Sequence, residues 1–170
     1  MLDFLFRRLT AEPQRGADLF RAVTQITRQP HWYVEGTVPD TIDGRFAVLA
    51  TITALVLVRL EREGEPGDLI AVALTERFIE AMESEHRELG LGDPSLGRTV
   101  RKLVGSLARR TDLWRSALGG VCDWMTAARD SLYKAGVSPD ALNHVAARLQ
   151  HFWTKLDQTE PDLIAQGKIE

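Results

Sequence analysis

The side chains of this sequence that could do chemistry are few, and their spacing limits what each could do. The stretch GDPSLGRT, residues 92–99, has G-x-x-x-x-G spacing followed by a cation and a hydroxyl. It stands one residue away from a phosphate-binding loop, with Arg98 in the lysine's place. Such a loop needs a strand before its glycines, because the strand edge aims backbone amides at the phosphates. Here a helical pattern precedes them, Pro94 removes one amide, and no apolar strand ending in an acid follows to hold magnesium. Helix termination explains the pattern better: Gly90 ends one helix, Gly92 allows a turn, and Asp93 or Ser95 caps the next.

The histidines are His31, His86, His144 and His151. None sits in an H-E-x-x-H pattern or at ligand spacing from a cysteine, so no metal is expected. His144 and His151 are seven apart and read as the polar flank of one helix. Asp40, Asp43 and Gly44 lack the alternating oxygen ligands and distal glutamate of a calcium loop. Glu83, Glu85 and Glu88 could suggest acid–base work, but a charged helix end gives no sign of the environment it needs, and a solvated face is the default. Cys122 is the single cysteine, so no intramolecular disulfide can form. The residues point to no enzyme and no cofactor.

The elements that position these residues read as helices. The chain has 170 residues, 44% of them hydrophobic and 26% charged, a globular composition able to bury a core. A net charge of -3 argues against general nucleic-acid or DNA binding. Phe4, Leu5 and Leu9 suggest a short amphipathic helix, with no secretory signal pattern around it. Pro13 opens a second helix with Ala17, Phe20, Val23 and Ile26 inward. The segment HWYVEGTVPDTIDG reads as a loop. FAVLATITALVLV, residues 46–58, is uncharged between Arg45 and Arg59. As a helix it spans roughly 20 Å, short of the about 30 Å of a hydrocarbon core, so it reads as a buried central helix running from about Ile42 to Arg62.

Further helices follow on the same periodicity. One after Pro66 turns Ile70, Leu74, Phe78, Ala81 and Met82 inward and ends at Gly90. The next carries Val100, Leu103, Val104 and Leu107. Thr111 and Asp112 are expected to start another, with Trp114, Leu118, Val121, Met125, Ala128 and Leu132 inward to Gly136. Ser138 caps a last long helix with Leu142, Val145, Leu149, Phe152 and Leu156 aligned, and Pro161 can open a tail helix. The expected class is all-α, a single compact domain of about seven helices around an all-apolar central one. The expected divisions are N-terminal amphipathic helices over 1–30, the helical domain over 31–158 and a tail over 159–170.

Charge reverses across the glycine turn. Glu76 to Asp93 holds six acids and two arginines, and Arg98 to Arg115 holds six bases and one acid. Arg98, Arg101, Lys102 and Arg109 fall on one helical stripe. Such a stripe is either a solvated face or a docking surface for an acidic partner, an anionic membrane or structured RNA.

Two blocks are recognisable together. VPDTIDGRFAVLATITALVLVRLEREG and ELGLGDPSLGRTVRKL resemble the ubiquinol–cytochrome c chaperone family, in bacterial form. The first resembles its Asp-Gly-Arg-Phe start and long apolar helix. The second resembles its Arg-Glu-x-Gly-x-Gly-Asp signature, here Arg87, Glu88, Gly90, Gly92 and Asp93. The resemblance covers about residues 32–155. It departs from the family at Ala81-Met82-Glu83, His86, Pro94, Ala108-Arg109-Arg110 and Trp114.

The resemblance implies a non-enzymatic assembly chaperone of respiratory complex III that binds newly made cytochrome b or another complex III subunit. It adds a ribosome or a small partner subunit as further contacts, and a cytoplasmic place at the inner face of the membrane. The alternative is a peripheral, lipid-binding protein using LDFLFRRL and the basic stripe. A client groove is expected near HWYVEGTVPDTIDGR and the glycine turn, with Trp32, Tyr33 and Trp114 as aromatic anchors. Asp43, Arg45, Arg87, Glu88, Gly90, Gly92, Asp93, Arg98, Arg101, Lys102 and Arg109 complete the expected contact residues.

Overall fold

A computed structural model of the chain describes residues 15–90 and 92–169. The expected helix of Phe4, Leu5 and Leu9 lies outside the described residues. Those described form an all-α domain: α1 (Ala17–Thr27), α2 (Ile42–Leu60), α3 (Glu65–Glu88), α4 (Asp93–Leu118), α5 (Trp124–Leu132), α6 (Pro139–Asp157) and α7 (Pro161–Ala165), with single 3-10 turns at Pro30–Trp32 and Glu61–Glu63.

The central helix is α2. Fourteen of its 19 residues are buried, and it packs against α1, α3, α4, α5 and α6. An apolar surface on all sides is what a helix surrounded by helices requires. Each fully buried Leu, Ile or Val contributes roughly 1.5–3 kcal/mol. Thr41 starts the helix, its Oγ1 accepting from the Gly44 amide at 3.2 Å. Gly44 is there for space: a Cβ would stand 1.8 Å from the Pro39 carbonyl oxygen. At the other end Arg59 is buried, pairs with Glu63 and donates to the Thr159 carbonyl at 3.0 Å, tying α2 to the chain after α6.

The first and last helices among the described residues belong to the same core as the middle. Leu19, Val23 and Ile26 of α1 are buried, as are Ile164 and Ile169 at the tail, and α7 packs on α1 and α3.

Two helix boundaries differ from the sequence expectation: α5 ends at Leu132, short of Gly136, and the other lies at Thr111. No helix starts at Thr111; α4 runs unbroken through it, and the Thr111 hydroxyl is absorbed by the Leu107 carbonyl at 3.1 Å. The break falls at Gly119–Gly120, with Gly120 at φ 76°, a left-handed conformation that glycine adopts without a Cβ penalty. Asp123 then caps α5 by accepting from the Thr126 amide at 2.9 Å. Val121 falls in this turn and is 86% exposed, not inward.

Candidate binding groove

The chain between α1 and α2 is held against the end of α1 by two aromatic residues. Trp32 donates its indole N–H to the Ile26 carbonyl at 2.9 Å, and the Tyr33 hydroxyl donates to the Thr27 carbonyl at 2.8 Å. Both acceptors belong to the last turn of a helix, where carbonyls lack intrahelical partners. These bonds fix the loop so that Tyr33 and Val34 face a groove of about 670 Å3.

The groove lies between α1, this loop, the start of α2 and the second half of α3. Phe20, Tyr33, Val34, Phe46, Leu49 and Met82 give it an apolar lining, and Ile42 stands at its edge. Val34 and Ile42 are 69% and 51% exposed, high values for aliphatic side chains beside a packed core. Arg28, Arg45, Asp40 and Glu85 supply charge at the border. Arg45 Nε donates to Asp40 Oδ1 at 2.6 Å. That bond holds the Asp40 carboxyl below its usual range. Burial pushes the Tyr33 phenol up.

Of the residues expected to meet a partner, the groove gathers Tyr33 and Arg45. Trp32 and Trp114 are 1% and 0% exposed, so as free anchors both expectations are corrected. Trp32 is spent on α1, and Trp114 stacks edge-on with Trp124 at 4.8 Å inside the core. Asp43 faces away into a separate hollow of about 300 Å3, where Lys134 Nζ reaches its Oδ2 at 2.6 Å. The α3 wall of the groove ends at Glu85, and Arg87, Glu88, Gly90 and Gly92 are exposed beyond it.

At that turn, Gly92 itself occupies the cap position of α4 in extended backbone, and Asp93 is the first helical residue. Ser95 does not cap; its hydroxyl donates back to the Gly92 carbonyl at 2.8 Å. Gly97 is inside α4, so the glycine spacing spans a helix end and not a phosphate cradle.

Arg98, Arg101, Lys102 and Arg109 are exposed along α4, and none makes an ion pair with a described residue. Other cations are engaged: Arg115, for example, holds both Glu61 oxygens, at 3.0 and 2.7 Å. Sequence reasoning missed Arg110, the next residue after the stripe. Its Nε and Nη2 donate to the Ser131 carbonyl at 3.0 and 2.8 Å, closing the end of α5. Burial first, then Arg109, pushes its guanidinium down to about 10. It also missed Val34 and Ile42, although an apolar residue between glycine and proline punctuation was the signal available.

No three His, Cys, Asp or Glu side chains cluster to hold a metal among the described residues, and no described helix is long and apolar enough to cross a membrane.

A helical domain with an open apolar groove has the makings of a protein-binding module. Comparison with known proteins gives the class. The profile of the ubiquinol-cytochrome C chaperone family matches residues 35–170, and the chain belongs to that family. Among solved structures, the crystal structure of the Cbp3 homolog from Brucella abortus is similar, with 24% identity and a TM-score of 0.79 over 100% of this chain and 96% of that one. At that identity the likeness speaks for the fold. No curated protein matches.

Proposed function

We propose that this protein is a non-enzymatic chaperone in the assembly of ubiquinol–cytochrome c reductase, and that it holds an apolar segment of a newly made subunit, cytochrome b, in the groove beside Tyr33. Family membership supports the first part. The groove carries the second: Val34 and Ile42 are exposed against an apolar lining, with charge confined to the border. A membrane subunit before insertion exposes apolar helices, and a helix laid into an apolar groove is a common recognition mode. The bordering charges would orient the segment rather than supply affinity. The site of action is the cytoplasmic face of the membrane, where such a segment emerges. Removal of the gene should lower assembled complex III and its haem b absorbance together. Normal levels of both would end this reading.

A second reading rests on a different observation, the unpaired cations of α4. They suit a peripheral contact with an anionic membrane, each charge near the surface contributing about 1 kcal/mol. Charge reversal by Arg98→Glu with Arg101→Glu should abolish salt-sensitive flotation with anionic vesicles. Unchanged flotation leaves the stripe a solvated face.

A further inference from the structure

A third cavity lies on neither the groove nor the α4 stripe. It holds about 140 Å3 and sits between the end of α1, the Pro30–Trp32 turn, α6 and the tail. Its floor is apolar, from Ile26, Trp32, Phe152 and Ile169, and its remaining walls are Gln29, His31, Arg148, His151 and Lys155. Arg148, His151 and Lys155 are exposed at their tips and share one face of α6 with His144, at steps of four, three and four residues. Among the described residues no carboxylate lines the cavity. Neither the Arg148 guanidinium nor the Lys155 ammonium makes an ion pair or a hydrogen bond with a described residue.

The hydrogen bonds at its edge leave donors facing inward. Gln29 Oε1 can only accept, so His31 Nε2, 3.0 Å away, donates to it. Burial, then Arg148 and His144, pulls the His31 imidazolium down to about 4. Neutral and donating through Nε2, His31 can only accept at Nδ1, so His144 Nε2 donates to it at 3.2 Å. The Gln29 amide nitrogen stays free to donate.

We infer that this cavity is a binding site for a single phosphate group, held by Arg148, His151, Lys155 and the Gln29 amide above an apolar floor. Several unpaired donors lining a small concave space are what a polyatomic anion needs, and guanidinium and ammonium groups suit phosphate oxygens. The volume is well below the roughly 300–1,000 Å3 of sites for drug-sized ligands, so a nucleotide does not fit within it. The shared chemistry is a phosphate monoester or diester, from a soluble phosphate or from the headgroup of an anionic lipid. This inference stands independently of the client groove.

The test uses the full chain at constant ionic strength, with inorganic phosphate as probe and chloride as control. Imidazole C–H proton signals report position, because His31, His144 and His151 border the site while His86 lies on α3, bonded to the Met82 carbonyl. Phosphate should shift the first three saturably and leave His86 still. Arg148→Gln with Lys155→Gln should weaken this at least tenfold, and Arg98→Gln with Arg101→Gln should not. All four side chains are exposed, so both variants should keep the wild-type helical circular dichroism.

Vesicles of phosphatidylcholine with or without phosphatidylglycerol identify the source. A tenfold loss of anionic-vesicle binding in the Arg148/Lys155 variant assigns the site to a lipid headgroup. Loss of phosphate binding alone assigns it to a soluble phosphate. No saturable shift with phosphate and no loss on vesicles overturns the inference, as does an equal effect of the α4 variant on the histidine shifts.

Discussion

The Trp32 indole donates to the Ile26 carbonyl at 2.9 Å, and this bond closes the open end of α1 from inside the protein. It turns an aromatic residue that looks like a surface anchor into a fastener. Because the loop carrying Tyr33 and Val34 begins at that fastener, the groove's shape depends on it. Trp32→Phe keeps most of the apolar volume and leaves the Ile26 carbonyl only the Gln29 amide, at 3.2 Å. The expected loss is about 0.5–1.5 kcal/mol, read as a lower midpoint in urea with little change in slope.

Thr53 lies at the centre of α2 with no exposure, and its hydroxyl has no partner among the described residues. Its neighbour Thr51 satisfies itself on the Ala47 carbonyl at 2.7 Å. A buried polar atom without a partner costs about 1–3 kcal/mol. Thr53→Val keeps the shape and should raise stability by about 1 kcal/mol, while Thr51→Val should not. Calorimetric midpoints of the two variants measure the difference.

Arg110 closes the end of α5 through the Ser131 carbonyl and lies 5.7 Å over the Phe46 ring. Arg110→Met should cost about 1.5–3 kcal/mol, the range for a hydrogen bond to a charged group. Arg110→Lys should recover only part, since an ammonium cannot reproduce the planar fork. Arg109→Gln, one residue away and exposed, should stay within about 0.5 kcal/mol. Chemical denaturation of the three variants checks this ordering.

His31 predicts an acid sensitivity of defined sign. Its pKa falls from 6.5 to about 4 in the fold, so between those values the unfolded chain binds more protons. Stability therefore rises with pH across that window and is lost as pH falls through it. The groups facing His31 are Arg148 and His144, which lower its pKa, Glu35, which raises it, and Gln29, whose Oε1 accepts a hydrogen bond from its Nε2. His31→Gln should flatten the thermal midpoint between pH 6.5 and 4, and an unchanged slope would contradict the assignment.

Much of the architecture was legible because local signals and burial agreed. Ser138 and Pro139 marked the start of α6, and Ser138 accepts from the Ala141 amide at 3.3 Å as a cap should. The uncharged run after Arg45 marked the central helix. Thr111 misled because a hydroxyl that suits a cap can also bond back within a helix, while Gly119–Gly120 held the stronger break. The groove was only partly legible. The sequence placed the loop, but whether Trp32, Trp114 or Val34 faces outward depends on partners six residues away or on other helices. The anion cavity combines His31 with residues more than a hundred positions later, a juxtaposition no local pattern carries.

The central claim is that the groove holds a segment of a complex III subunit, and co-purification from detergent-solubilised membranes tests it most directly. Val34→Glu with Ile42→Glu places two charges at exposed positions on the groove, where folding should be spared. Wild-type protein should enrich cytochrome b, and the double variant should recover at least tenfold less at equal helical content. Equal recovery by both proteins, or no enrichment by the wild type, would contradict the account.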